Sequence, residues 1–97
     1  MSVIETLSFR LAQGTDESEF LLADHAVQTE FIPNLPGFLR RTTSRNHDGE
    51  WLVVTLGQSE GQAEACESIA STSGVYQRFI SLLDGTSSGM KRYSTLD

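Results

Sequence analysis

The sequence contains one cysteine, Cys66, in 97 residues, so no disulfide can form within the chain. A lone thiol suits the reducing environment of the cytoplasm, and we expect that location. The sequence also lacks a basic segment followed by an apolar run at its start, and it lacks a stretch of about 20 apolar residues. We therefore predict neither a signal peptide nor a membrane partner.

Positive charge is scarce. Seven Lys and Arg residues stand against 13 Asp and Glu residues, which gives a net charge of -6. A protein that binds a phosphate backbone needs a basic patch, so we exclude a nucleic-acid partner. The two histidines, His25 and His47, are far apart and have no cysteine partners at metal-binding spacing. Because phosphate-binding glycine motifs are also missing, we predict no metal and no cofactor.

Hydrophobic residues make up 38% of the chain and charged residues 21%, as in ordinary globular proteins. A chain of 97 residues is predicted to form a single domain over residues 1–97, with one core that needs no disulfide. A domain of this size has little room for a deep active site of its own. A second copy of the chain would enclose more volume.

The chain begins with an alternating segment, residues 2–12, in which one face is apolar except for Glu5. A helix follows, with Asp16 as its N-cap and Glu19 as the partner in a capping box. We predict that this helix ends before Pro33, because the residue before a proline avoids helical geometry.

Two further strands are predicted around a tight Asp48-Gly49 turn, and the more apolar of them, from Trp51, is expected to be central. Ser59 and Gln62 form a second capping box, which opens another helical region. Met90 to Leu96 can form a last strand. The order β-α-β-β-α-β is that of the split βαβ or ferredoxin-like fold, of class α+β with an antiparallel sheet. The sheet face without helices needs a cover, and a homodimer would supply it.

Asp24 is the most informative polar residue, because it projects into the apolar arc of the first helix. A carboxylate that faces a core must be paired, or its pKa must rise. Glu5 poses the same question on the first strand. We therefore predict that Asp24, or His25 at the edge of the arc, acts as a general base, with Glu5 lining the same cavity. The alternative is that these side chains reach water.

Trp51 and Tyr76 are predicted to lie in the core or to line a ligand cavity, because each has a polar group that wants a partner when buried. We assign them, with Glu5, as substrate-binding residues. Three arginines in the second strand could hold an anionic ligand or could form salt bridges, and the sequence leaves both open. They are Arg40, Arg41 and Arg45.

The segment from Gly57 to Gly61 matches the G-x-S-x-G motif of serine esterases, between a strand and a helix. That chemistry needs a histidine after the serine in chain order, and none follows Ser59. We interpret Ser59 as a helix N-cap instead.

The chain resembles the antibiotic biosynthesis monooxygenase-like family of the dimeric α+β barrel superfamily. Three segments carry the resemblance: Leu35-Pro36-Gly37-Phe38, Asp48-Gly49-Glu50-Trp51, and Val53-Val54 leading to Ser59. The resemblance implies paired ferredoxin-like subunits with face-to-face sheets and a small cavity between each sheet and its helices. The family includes cofactor-free oxygenases of polycyclic aromatics, haem-degrading enzymes and many proteins without a known activity.

The chain departs from this family at three points. Gly57 stands where the family often has tryptophan, no histidine follows His47, and the first strand has no asparagine. The last two features exclude haem degradation. The resemblance implies a cofactor-free monooxygenase-like protein that acts on or binds a small aromatic or polyketide-like molecule. The alternative is an accessory protein that binds a small molecule in the same cavity without chemistry.

Overall fold

The computed structural model describes residues 2–96. Four strands and three α-helices follow one another in the predicted order, so the α+β ferredoxin-like class is confirmed. The elements are β1 (Val3–Phe9), α1 (Glu17–Ala26), β2 (Phe38–Arg45), β3 (Trp51–Gly57), α2 (Glu60–Ala70), α3 (Gly74–Ser81) and β4 (Gly89–Ser94).

The helix that was predicted to continue towards Pro33 changes its geometry after Ala26. A π-helical turn spans Val27–Phe31, and a 3-10 turn spans Ile32–Asn34. The N–H of Ile32 donates to the carbonyl of Val27, five residues back, which is the hydrogen bond of a π-helix. Such turns are often found at functional sites.

The sheet has the order β2-β3-β1-β4, and all neighbouring strands are antiparallel. β3 is therefore central, as its apolar sequence predicts. Alternate residues of each strand face the helices, and on β1 these are Val3, Glu5, Leu7 and Phe9.

The core lies between the sheet and the helices and is built on aromatic rings. The side chain of Phe20 on α1 is 0% exposed, and its ring centroid lies 4.6 Å from that of Trp51. The rings of Phe9 and Phe79 also contact that of Phe20, at centroid distances of 5.7 Å and 5.5 Å. Trp51 therefore packs in the core, which is one of its two predicted outcomes.

Short polar side chains begin the first two helices, as predicted. Asp16 accepts a hydrogen bond from a first-turn N–H of α1, and Ser59 accepts one from the N–H of Gln62. Glu19 does not complete a capping box, because its carboxylate lies 4.0 Å from the guanidinium of Arg78. Ser59 thus has the structural role that was preferred for it over the esterase interpretation.

A β-bulge at the start of β2 decides which arginine faces the helices. The register with β3 shifts between Phe38 and Arg40, so β2 carries one extra residue there. A shift of one residue exchanges the two faces of a strand. Consequently Arg41 and Thr43 face the helices, whereas Arg40 is exposed on the opposite face.

No helix formed by residues 2–96 covers the opposite face of the sheet, and the two central strands place large apolar side chains there. Leu52, Val54 and Leu56 of β3 alternate with the residues that face the core, and Ile4 of β1 lies beside them. Within residues 2–96, no helix has the length and apolar character that crossing a membrane requires.

Candidate functional site

A partly open cavity of about 100 Å³ lies between the helix-facing side of the sheet and the helices. It exists because α2 turns small side chains towards the sheet, namely Ala63, Cys66 and Ala70. A second cavity of about 50 Å³ adjoins it under Leu35 to Phe38. Apolar side chains form most of the wall of the larger cavity: Leu7, Phe31, Ile32, Leu35, Val53, Phe79 and Met90.

A row of four polar side chains crosses the helix-facing side of the sheet, and three of them, Glu5, Thr55 and Arg41, line the cavity. Arg92 of β4 is paired in register with Glu5 of β1, Glu5 with Thr55 of β3, and Thr55 with Arg41 of β2. Residues paired in this way point to the same face of a sheet. Neighbouring strands lie about 4.8 Å apart, so the backbones of Glu5 and Arg41 are roughly 10 Å apart. We call these four residues the polar row.

Glu5 is the carboxylate of the polar row. Burial raises the pKa of Glu5 above its usual value of 4.5, although the charge of Arg92 acts in the opposite direction. The two groups approach to 3.6 Å, and Glu67 on α2 also pairs with Arg92. A carboxylate with a raised pKa in an apolar cavity has the properties of a general base or acid.

Tyr76 approaches the cavity from the first turn of α3. Its ring lies 5.0 Å from that of Phe31 and 5.8 Å from that of Phe79, measured between centroids. Burial raises the pKa of Tyr76, and the positive charge of Arg41 partly opposes this rise. The phenol therefore stays protonated near neutral pH, and no residue in 2–96 hydrogen-bonds to its hydroxyl, which leaves it able to contact a ligand.

Arg41 is the most enclosed charged side chain of the site. Its side chain is 4% exposed, and its Nη2 lies 2.7 Å from Oδ1 of Asp24 on α1. The same carboxylate oxygen accepts a hydrogen bond from Thr43 at 3.0 Å. Asp24 is thus a half-buried carboxylate that is satisfied by pairing, which is one of the two solutions open to a carboxylate on an apolar arc.

The predicted site residues fall into two groups. Glu5 and Tyr76 line the cavity together. Asp24 does not line it, because its carboxylate is turned to Arg41 on β2, and His25 is exposed on α1. Trp51 is buried among core aromatic rings instead. The two residues predicted to act as the base are therefore outside the cavity, and the carboxylates that line it are those of Glu5 and Glu67.

Two further titratable residues line the cavity without having been predicted for the site, Cys66 and Glu67. Arg41 also lines it, and was one of the three arginines for which the sequence left open an anionic ligand or a salt bridge. Burial together with the charge of Glu5 raises the pKa of the Cys66 thiol. The small side chains at helical spacing on α2 were the sequence signal for a cavity under that helix. In residues 2–96, no group of three or more His, Cys, Asp and Glu side chains is placed to hold a metal ion.

No protein-family model and no curated protein sequence matches the chain. Solved structures do. SnoaB, a cofactor-independent oxygenase from Streptomyces nogalater, superposes in a variant form with a TM-score of 0.80 at 14% identity, over 99% of this chain and 94% of that one.

Two other solved structures agree with this fold. A candidate antibiotic biosynthesis monooxygenase from Caulobacter crescentus CB15 gives a TM-score of 0.76 at 13% identity, over 99% of this chain and 91% of that one. A dimeric ferredoxin-like protein of unknown function from Jannaschia sp. CCS1 gives 0.73 at 10% identity, over 98% of this chain and 100% of that one. The chain thus has the fold that the resemblance implied. At these identities the likeness shows the fold alone.

Proposed function

We propose that the chain is a cofactor-independent monooxygenase-like protein whose substrate is a small aromatic or polyketide-like molecule. The observation that carries this proposal is a carboxylate with a raised pKa, Glu5, on the floor of an apolar cavity. An apolar wall favours the flat body of an aromatic ligand, and a few polar groups would orient it. The shared fold with SnoaB, described as a cofactor-independent oxygenase, supports the same activity.

Glu5 is the proposed base in place of Asp24 and His25. Its carboxylate would take a proton from an acidic CH₂ group beside a ring carbonyl, which leaves an electron-rich enolate. The enolate transfers an electron to dioxygen, and the two radicals combine to form a C–O bond. Loss of water from the peroxide leaves a carbonyl. One atom of dioxygen becomes the oxygen of the new C=O group. The other leaves as water with the two hydrogens of the CH₂ group, so no external reductant is required.

Cavity size sets the class of substrate. Together the two adjoining cavities approach the volume of ~150 Å³ that holds benzene in an engineered protein core. A molecule with one ring fits this space, whereas a polycyclic molecule requires α2 to move outwards. We therefore expect one-ring substrates, or the reactive end of a larger molecule, to enter first.

Oxygen consumption tests the proposed activity. Purified protein is incubated with anthrone-like and smaller cyclic ketones in a closed oxygen-electrode cell, without added metal or cofactor. We expect uptake by the wild-type protein and a loss of most of it in Ala70→Leu, because the larger side chain fills the cavity from α2. The matched control is Ala65→Leu on the exposed side of the same helix, which should retain uptake. Ligand binding without uptake would favour a non-catalytic binding protein.

We further propose that two copies of the chain associate through the open face of the sheet. The apolar residues of β3 on this face, with Val54 at the centre, support the proposal, as does the dimeric description of the Jannaschia structure. Sedimentation analysis at micromolar concentration should give the mass of a dimer, and Val54→Arg should give a folded monomer. A monomeric wild-type protein would contradict the proposal.

A further inference from the structure

The guanidinium of Arg41 is buried at the wall of the cavity, and both of its hydrogen-bond partners come from the helical segment that precedes β2. Asp24 and Gln28 of the helical segment accept hydrogen bonds from it at 2.7 Å and 3.4 Å. The ring of Phe79 lies 5.4 Å from its central carbon, within the range of a cation–π contact. No residue in 2–96 accepts from its remaining N–H groups, and Arg41 is among the residues that line the cavity.

Joining α1 to β2 does not explain this arrangement. An exposed ion pair already joins the same two elements, between Arg45 and Glu17, whose side chains are 49% and 47% exposed. Because both of these side chains remain about half exposed, forming the Arg45–Glu17 pair removes little of their hydration. Burying the Arg41–Asp24 pair costs desolvation energy that its mutual attraction only partly offsets. The buried pair is therefore better explained by what the guanidinium presents to the cavity.

Two other side chains near Arg41, Thr55 and Tyr76, have hydroxyl groups that are able to donate a hydrogen bond to a ligand. Thr55 is paired in register with Arg41, and Tyr76 is close enough for the charge of Arg41 to oppose in part the rise in the Tyr76 pKa that burial causes. Neither hydroxyl has a side-chain partner in the described part of the chain. A ligand oxygen at this wall would find one full positive charge and two hydroxyl donors.

We propose that Arg41 is an anion-stabilising residue, and that the ligand of the cavity carries an acidic ring oxygen, a phenol or an enol, which is bound there as its anion. Asp24 is then a positioning residue that holds the guanidinium from α1. Across the polar row, Glu5 is placed to take the proton that this ionisation releases. The inference rests on the proposed use of the cavity as a ligand site.

The experiment follows the ionisation of a bound chromogenic phenol, para-nitrophenol. Its absorbance is recorded against pH, free and with saturating protein, for the wild type and for Arg41→Gln. Removing the positive charge should raise the apparent pKa of the bound probe by about one unit or more, a tenfold loss of bound phenolate relative to bound phenol. A purely structural role for Arg41 would weaken binding without moving this pKa.

The matched control is Arg45→Gln, which removes a paired arginine from the same strand and face but away from the cavity. It should leave the pKa of the bound probe within a few tenths of a unit of the wild-type value. The other charged or titratable groups in or beside the cavity are unchanged in both variants: Glu5 on β1, Cys66 and Glu67 on α2, Tyr76 on α3, Asp24 on α1, which pairs with Arg41, and Arg92 on β4, which pairs with Glu5 and Glu67.

Two further measurements test the anion-stabilising role of Arg41 if Arg41→Gln does not fold. Arg41→Lys keeps the positive charge, so the apparent pKa of the bound probe should stay close to its wild-type value. The wild-type protein itself should bind para-nitrophenolate at least about tenfold more tightly than the uncharged ether para-nitroanisole. Equal binding of the two, no binding of the phenol, or an unchanged pKa in a folded Arg41→Gln would overturn the inference. Anion binding without oxygen uptake would reject only the proposed oxygenase activity.

Discussion

Glu5→Gln is expected to lower kcat for oxygen consumption by about 10²- to 10⁴-fold, the usual contribution of a positioned general base. Gln keeps the size and shape of the side chain but cannot accept a proton. Stopped-flow or electrode measurements with the best ketone substrate give kcat and KM for both proteins. Glu64→Gln on the exposed face of α2 is the matched control, and it should behave as the wild type.

The pH profile gives this first prediction a second readout. Because burial raises the pKa of Glu5, the base is still protonated, and inactive, at pH values where an ordinary glutamate is ionised. The rate should therefore rise with pH, with its midpoint above 4.5, and Glu5→Gln should lose this limb. Turnover that survives in Glu5→Gln but is lost in His25→Ala would return the base to α1, where the sequence first suggested it.

Phe20→Ala should lower the free energy of unfolding by ~3–5 kcal/mol, the cost of truncating a buried aromatic side chain. Phe20 is 0% exposed and contacts the rings of Phe9, Trp51 and Phe79. The neighbouring rings cannot rotate to fill the resulting cavity, because each belongs to a different element of the fold: Phe9 to β1, Trp51 to β3 and Phe79 to α3. Since a domain of this size has about 5–15 kcal/mol in total, the variant should be close to unfolding in mild conditions.

Urea unfolding at one fixed protein concentration measures this loss, because association would make the stability depend on concentration. Leu22→Ala is the matched control on the same helix. The side chain of Leu22 is 69% exposed, so its truncation should change the stability by less than about 0.5 kcal/mol. A loss below about 1 kcal/mol in Phe20→Ala would mean that the aromatic core is not the main support of the fold.

Asp24 shows what a periodic pattern can and cannot predict. Its spacing from Phe20 and Val27 correctly placed it among apolar neighbours on α1, and chemistry required either a partner or a raised pKa. The partner, Arg41, lies 17 residues further along the chain. No local pattern indicates which of three neighbouring arginines would reach it.

Glu5 was the opposite case. Alternation on β1 predicted that its carboxylate faces the helices, and the structure confirms this. The alternation could not indicate that Arg92 is the partner of Glu5. Arg92 lies beside Glu5 because β4 pairs with β1 as the outer strand of the sheet. The proposal of Glu5 as the base depends on the cavity around it, which forms only when α2 packs on the sheet.

Local structure could be predicted from the amino-acid pattern: the helix starts at Asp16 and Ser59, the tight turn at Asp48-Gly49, and the apolar faces of the strands. These features depend on neighbours within a few residues, where spacing fixes geometry. Which polar groups share the cavity depends instead on how the strands pair and how the helices pack on them. A single extra residue in β2 turns Arg41 inwards and Arg40 outwards, and the alternating pattern is the same in both registers until β3 pairs with the strand.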